Sequence, residues 1–144
     1  MTQHFEFTPY AGWNQVHLKD ETSTDDLSMQ WTPEAVAREL AIGDRVLGIG
    51  TYRDTNVPFE VDVFEKPPDP VGGESWDRIN DVTIDVQSGA LVLWGCGEYW
   101  PTSPRISVKP GSYAVRIFYG GKDTLSEDGV DGADHYRIWI WPNV

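Results

Sequence analysis

The residues with the most distinctive chemistry in this chain are carboxylates that alternate with apolar side chains. In the stretch FEVDV these acids are Glu60 and Asp62, and in the stretch DVTIDV they are Asp81 and Asp85. Side chains alternate between the two faces of a β-strand, so each stretch predicts one apolar face and one acidic face. Such an acidic face would attract cations, basic proteins, or proteins that normally hold phosphates.

The chain as a whole is acidic, and not only these two strands. Its 144 residues include 23 Asp and Glu against 11 Lys and Arg, for a formal net charge of -12. That charge repels phosphate backbones and anionic lipids, so we expect neither nucleic acid nor a membrane surface as a direct partner. If the two acidic strands are neighbours, their four carboxylates form a ladder that fits a phosphate-binding groove on a basic protein. The alternative is a solvated face that only keeps the protein soluble.

A second kind of site is indicated by the seven tryptophans. In the stretch YRIWIW, which includes Trp139, both faces of the predicted strand are largely apolar. Such a strand is either covered on both sides or exposes a binding face, and tryptophan is a favoured anchor at interfaces. Exposed tryptophan beside carboxylates is typical of sugar-binding sandwiches, which makes Trp100 and Trp139 candidate ligand-binding residues. The alternative is that these rings pack in the core.

The segment 120–134 resembles a calcium-binding loop in composition. It is rich in Gly and Asp, and calcium takes six to eight oxygen ligands on a flexible backbone. Weak candidate ligands are Asp123, Asp128 and Asp131, although the ligand order of an EF-hand is absent. The alternative is a solvated acidic loop that joins two strands.

Catalytic chemistry has little support in the sequence. His4, His17 and His135 do not occur in a metal-binding spacing. Cys96 has no histidine or cationic residue beside it to activate the thiol, so we expect a structural role for it. We therefore predict no catalytic residue and no cofactor.

The elements that would position these residues are mostly short strands. One helix is predicted over 33–41, because Thr32 is a favoured N-cap, Pro33 suits the first helical position and Gly43 suits a C-terminal cap. The predicted strands are 5–8, 12–18, 46–53, 57–65, 78–86, 90–95, 105–108, 112–119 and 135–141.

The spacing of these strands predicts a mainly β protein, an antiparallel β-sandwich with one short helix, in a single domain over 1–144. Tight turns at 87–89 and 109–111 favour hairpins. The Pro- and Gly-rich stretch 66–73 is predicted to be an irregular loop.

A reducing compartment is favoured because Cys96 has no second cysteine with which to form a disulfide. The first residues show neither the basic nor the apolar region of a signal peptide, and the apolar runs are far shorter than a membrane span. We therefore expect a cytoplasmic protein.

With these elements placed, the chain resembles the competence protein J family, whose best-known member inhibits a DNA-entry nuclease. The segments that carry the resemblance are 15–20, 29–36 running into the helix, the strand after Asp44, 109–113, and the last strand through Ile138. The resemblance implies a small cytoplasmic β-rich protein that works by binding, with a nuclease or another nucleic-acid-directed enzyme as partner. The loop 120–134 and the tryptophan content depart from it.

Three hypotheses follow. The first is a non-enzymatic acidic protein that neutralises a basic partner, such as a nuclease, through Glu60, Asp62, Asp81 and Asp85. The second is a carbohydrate- or calcium-binding module that uses Trp100, Trp139 and the 120–134 loop. The third is an enzyme whose site is assembled from residues distant in sequence.

Overall fold

A computed structural model describes residues 2–69 and 75–143 of the chain. In chain order, the strands of this part are β1 (Gln3–Phe7), β2 (Gln15–Asp20), β3 (Leu40–Gly43), β4 (Val46–Gly50), β5 (Phe59–Val63), β6 (Arg78–Val86), β7 (Ala90–Gly95), β8 (Arg105–Ser107), β9 (Gly111–Gly120) and β10 (His135–Pro142). The helix α1 (Pro33–Arg38) lies between β2 and β3. Single 3₁₀ turns occur at Gly12–Asn14, Trp100–Thr102 and Lys122–Thr124. No helix in the described residues is long and apolar enough to cross a membrane.

The strands form two five-stranded sheets. The first sheet has the order β1-β5-β10-β9-β6, and the second has the order β3-β4-β2-β7-β8. Among the strand pairs of the described residues, β5 and β10 are parallel and the others are antiparallel. The predicted mainly β sandwich is therefore confirmed, with one parallel pair that the sequence did not predict.

The core lies between the two sheets. Val61, Ile117 and Ile138 of the first sheet are fully buried in one cluster with Leu18 and Leu93 of the second sheet. Burying each such side chain stabilises the fold by about 1.5–3 kcal/mol. Because alternate residues of a strand face opposite sides, the burial of Val61 places its neighbours on the outer face of the first sheet.

The helix is shorter than predicted. Thr32 is the N-cap, and its hydroxyl oxygen accepts a hydrogen bond from the Ala35 N–H at 3.2 Å. The helix ends before Glu39, which has a left-handed backbone with φ of 63°. The following residues leave the helix and pair with β4 as β3. The prediction of a helix over 33–41 capped at Gly43 is therefore wrong at its C-terminal end.

Both predicted hairpins are also wrong. The turn at 87–89 joins β6 of the first sheet to β7 of the second, and the turn at 109–111 joins β8 of the second sheet to β9 of the first. The chain changes sheet at each turn, so the strands on either side do not pair. Of the predicted loop 66–73, residues 70–73 lie outside the described residues, and 66–69 form no strand.

A buried carboxylate holds the first of these turns. Asp20, at the end of β2, has a fully buried side chain. Its Oδ1 accepts hydrogen bonds from the Gln87 N–H, the Ser88 N–H and the Ser88 hydroxyl, and its Oδ2 accepts from the Thr22 hydroxyl and from Arg45 Nη1. Burial acts to raise the pKa of Asp20, but hydrogen bonds from Ser88, Thr22 and Arg45 outweigh it and lower the pKa to about 2.

The Asp20→Asn variant should lose roughly 3–5 kcal/mol of the free energy of unfolding, since it breaks a buried ion pair and leaves buried donors without an acceptor. Because the folded-state pKa is depressed, the contribution of Asp20 is complete above the ordinary pKa of 3.8 and is lost as the pH falls through about 2. Urea unfolding at neutral and acid pH measures both effects.

Asp85→Asn is the control, because Asp85 is exposed and should change the free energy of unfolding by less than about 0.5 kcal/mol. A variant at Asp20 that unfolds at the same urea concentration as the control would contradict the role given to this carboxylate.

Candidate functional site

The four predicted acids lie on the outer face of the first sheet, which we call the charged face. Side chains on this face stand in rows across the strands. One row joins, in register, His4, Asp62, Trp139, Arg116 and Asp81. A parallel row joins Glu6, Glu60, Arg137, Phe118 and Ile79. Asp85 lies further along β6, opposite Ser112.

Two of the four acids form ion pairs with arginines of neighbouring strands. Glu60 Oε2 accepts hydrogen bonds from Arg137 Nη2 at 2.8 Å and from Arg137 Nε at 3.1 Å. Asp81 accepts from Arg116 through both carboxylate oxygens, at 2.7 and 3.3 Å. These arginines hold the carboxylates in fixed positions while leaving them partly exposed.

The other two acids differ in their surroundings. Asp62 accepts a hydrogen bond from His4 Nδ1 at 2.6 Å, and this bond is the main reason that the pKa of His4 is raised. Asp85 is exposed and makes no hydrogen bond or ion pair with residues 2–69 or 75–143. The charged face therefore keeps at least one carboxylate that no group in the described chain neutralises.

The predicted ladder of carboxylates on neighbouring strands does not form. β5, which carries Glu60 and Asp62, is separated from β6, which carries Asp81 and Asp85, by β10 and β9. Asp62 and Asp81 share a row, but three strand spacings place them roughly 14 Å apart. The acids flank a central strip of arginine and aromatic side chains instead of forming one continuous ladder.

That central strip is covered by aromatic side chains from the segments on either side of residues 70–74. The ring of Phe64 lies 5.3 Å from that of Trp139, and the ring of Trp76 lies 5.1 Å from that of Phe118. Trp139 also packs against Phe118 and is only 8% exposed. The expectation that Trp139 offers a ring to a ligand is therefore corrected: it packs within the protein, because both faces of β10 are covered.

Trp100 lies on the other side of the sandwich. Its ring contacts Trp94 at 6.2 Å and lies within about 5 Å of two cations, with Lys19 Nζ at 5.3 Å and Arg105 Cζ at 5.1 Å from the ring centre. These cations belong to the outer face of the second sheet, so Trp100 and Trp139 cannot contribute to one site. The ring of Trp100 already makes cation–π contacts within its own chain.

The acids of the 120–134 loop do not converge on a calcium site. Asp128 Oδ1 accepts hydrogen bonds from the Ser126 hydroxyl at 2.6 Å and from the Val130 N–H at 3.1 Å, which closes a local turn. Asp123 lies in the 3₁₀ turn that opens the loop and Asp131 follows the turn around Asp128. Among the described residues, these three acids form no group within reach of a common ion.

The side chains that do converge in the described part of the chain are His4, Glu6 and Glu60, at the end of the charged face near β1. His4 Nε2 lies 3.6 Å from Glu6 Oε2. Glu60 is already paired with Arg137, and His4 is paired with Asp62. We therefore interpret this group as part of the ion-pair network of the charged face.

The histidines, for which the sequence predicts no catalytic role, are divided between the two sheets. His4 and His135 belong to the first sheet, and His17 belongs to the second. Burial lowers the pKa of His17 to about 4 and raises the pKa of the Cys96 thiol, so both groups are neutral near pH 7.

A pocket that the sequence did not predict lies between α1 and the 3₁₀ turn before β2. Its volume is about 380 Å³, and its wall includes Trp13, Trp31, Val36, Glu39 and Tyr52. We call it the tryptophan pocket. The indole of Trp13 is 80% exposed at its rim, which is unusual for so large an apolar side chain.

Sequence reasoning missed this pocket because Trp13 fell within a predicted strand and Glu39 within the predicted helix. In the structure both residues have a left-handed backbone, with φ of 60° and 63°. Asn14, with φ of 58°, is a local signal that could have shown the turn, since asparagine tolerates this conformation better than most residues.

No protein-family model and no curated protein matches the sequence. Among solved structures, the chain is similar to ComJ from Bacillus subtilis, an inhibitor of the DNA degrading activity of NucA. The TM-score is 0.74 at 17% identity, over 99% of this chain and 98% of that chain. The chain has the ComJ fold.

A second structure with a similar fold is described as crocagin biosynthetic gene J. Its TM-score is 0.68 at 19% identity, over 100% of this chain and 99% of that chain. The sequence indicated a resemblance to the competence protein J family. The structure confirms that resemblance at the level of the fold, over 99% of this chain.

Millimolar calcium should leave the melting temperature unchanged, because Asp123, Asp128 and Asp131 do not surround a common position. An ion present at about 100 times its Kd would stabilise the folded state by about 2.7 kcal/mol, which raises the melting temperature by several degrees. Thermal unfolding followed by circular dichroism, with calcium and with a chelator, makes the comparison. A rise that Asp128→Asn abolishes would show that the loop binds calcium after all.

Proposed function

We propose that this chain is a non-enzymatic acidic protein of the cytoplasm that binds and neutralises a basic partner protein, and that the partner is a nuclease. The observation that carries the proposal is the match in fold, over nearly the full length of both chains, to a protein that inhibits a nuclease. The net charge of -12 supports it, because a protein that holds nucleic acid presents a basic surface to which this chain is complementary.

The charged face supports the same function at the level of residues. Glu60, Asp62, Asp81 and Asp85 all project from this face, and their arginine partners keep the first and third in fixed positions. A carboxylate has about four acceptor positions, so an ion-paired acid can still accept hydrogen bonds from a partner. In our proposal these acids contact the partner, and the charge of the whole chain raises the rate at which the two proteins meet.

The ligand-binding alternative has no comparable support. Trp139 is buried, Trp100 lies on the opposite side of the sandwich, and the acids of the 120–134 loop do not converge. Among the hypotheses raised by the sequence, binding of a basic protein agrees best with the arrangement of the described residues.

The proposal is tested by adding the purified chain to a native lysate and measuring degradation of fluorescent DNA. Degradation should fall at low salt, and about 0.3 M salt should restore much of it, because salt screens charges separated by more than a Debye length. The nuclease that the chain retains is then identified by mass spectrometry and assayed alone. DNA degradation that is unaffected at every salt concentration would reject the proposal.

Removing charge from the charged face should weaken inhibition. The triple variant Glu60→Gln, Asp62→Asn, Asp85→Asn should raise the concentration needed for half-maximal inhibition at least tenfold. Most of this effect should come from slower association, which stopped-flow mixing with the identified nuclease measures.

A matched control changes the net charge by the same amount away from this face. Its three substitutions are at exposed acids of α1, of the turn between β3 and β4, and of the 120–134 loop: Glu34→Gln, Asp44→Asn and Glu127→Gln. Inhibition should change less than threefold in this control. Equal losses in the two triple variants would mean that only total charge matters and that the charged face is not the contact surface.

A further inference from the structure

The tryptophan pocket combines apolar walls with one carboxylate. Glu39 enters it from the C-terminal end of α1, beside the ring of Tyr52. Its Oε2 accepts a weak hydrogen bond from the Tyr52 hydroxyl at 3.3 Å and lies 3.7 Å from Arg78 Nε. Its Oε1 makes no hydrogen bond with any residue in the described part of the chain. This oxygen is not buried, so the pocket holds an acceptor that stays open to water or to a ligand.

The carboxylate of Glu39 is also partly buried beside positive charges that do not enter the pocket. Burial raises the pKa of its carboxyl, and the attraction of Arg78 only reduces that effect. Arg78 does not line the pocket, so it does not fill the space in front of the carboxylate. A cation that entered the pocket would relieve the cost of burying this charge.

The aromatic walls are arranged to receive a cation. The Trp31 ring is fixed by a hydrogen bond of 3.0 Å from its Nε1 to Gln15 Oε1, and its orientation does not depend on a ligand. The Tyr52 ring already lies 5.8 Å from Lys122 Nζ, outside the pocket. Cations lie favourably over aromatic rings within about 6 Å, and tryptophan is the best of these rings.

Backbone strain is concentrated at the same place. Among the described residues, five other than glycine have positive φ, and Trp13, Asn14 and Glu39 are three of them. All three line the pocket. The left-handed backbone at Trp13 accompanies a largely exposed indole at the rim of the pocket. Residues kept in unfavourable conformations collect at binding sites, because their geometry serves recognition at the expense of stability.

We propose that the tryptophan pocket binds an arginine side chain of the basic partner protein. The guanidinium lies against the indoles of Trp13 and Trp31 and donates a hydrogen bond to Glu39. This inference rests on the proposed function for its partner, but the pocket itself can be tested without that partner.

Other occupants fit the pocket less well. An apolar side chain would cover Glu39 Oε1 without giving it a hydrogen-bond donor, and an anion would be repelled by the carboxylate. A lysine ammonium is compact and strongly hydrated, whereas a guanidinium is planar, weakly hydrated and stacks on aromatic rings. Charge and shape together favour arginine.

The direct test titrates the isotope-labelled chain with the peptide acetyl-Gly-Arg-Gly-amide and follows the indole N–H signals by NMR. The signals of Trp13 and Trp31 should shift, with a Kd on the order of millimolar for one side chain. The matched probe replaces arginine with citrulline, which has nearly the same shape and no charge, and it should bind at least tenfold more weakly. Equal binding of the two peptides, or no shift at either indole, would overturn the proposal.

Two variants test the residues. Glu39→Gln keeps the size of the side chain and should weaken the arginine peptide about tenfold or more, while Trp13→Ala should weaken it about threefold to tenfold. Tyr99→Ala is the control, because Tyr99 is a 71% exposed aromatic residue that does not line the pocket. Far-ultraviolet circular dichroism confirms that each variant folds. Unchanged peptide binding in folded Glu39→Gln would contradict the pocket as the arginine site.

The nuclease assay separates this inference from the proposed function. Peptide binding that depends on Glu39, without inhibition of any nuclease, would reject the proposed function and leave the arginine site standing. Inhibition that is unchanged in Trp13→Ala and Glu39→Gln would support the proposed function and reject the pocket as a contact with the partner. Both properties should be weakened together if the pocket receives an arginine of the nuclease.

Discussion

The hydrogen bonds to the buried carboxylate of Asp20 are the interactions on which the two-sheet architecture depends. Asp20 ends the central strand of the second sheet, and it binds the turn at which the chain leaves the first sheet. A charge in this position is stable only because five donors surround it, one of them an arginine. At this turn the chain passes from β6, which pairs with β9, to β7 in the other sheet. The rows of side chains on the charged face follow from that pairing.

The parts of the fold that depend on neighbouring residues could be predicted from the sequence. The predicted bounds of β6 and β7 are correct, because the alternation of apolar and polar residues in β6 and the apolar run of β7 between two glycines are local patterns. The helix was extended too far because Glu39, an ordinary helix-forming residue, adopts a left-handed backbone. The hairpins were predicted from turn residues alone, and a turn of that kind does not reveal that Asp20, 67 residues away, binds it into a crossing between sheets.

The candidate sites likewise combine features that local sequence patterns predict with features that depend on contacts distant in sequence. Alternation placed Glu60, Asp62, Asp81 and Asp85 on strand faces, but the order of the strands decides that β9 and β10 lie between the two pairs. The arginines that pair with two of these acids come from strands distant in sequence, and no local pattern shows them. The tryptophan pocket was missed for a different reason: its residues break the local patterns in which they occur. A strained conformation is set by tertiary contacts, so the sites that depend on one are the least visible in a sequence.

The acidic residues of β6 also matter for contacts between copies of the chain, because β6 is an edge strand of the first sheet. It is nine residues long, and its outer edge has no strand beside it in the described part of the chain. An open edge of this length is a template on which a strand from another molecule can pair, which is how many proteins begin to aggregate. Charged side chains on such a strand oppose this pairing, since a second copy would place like charges opposite each other. We therefore expect Asp81 and Asp85 to oppose pairing between copies of the chain, so that a variant without both charges would aggregate more readily even where no partner is present.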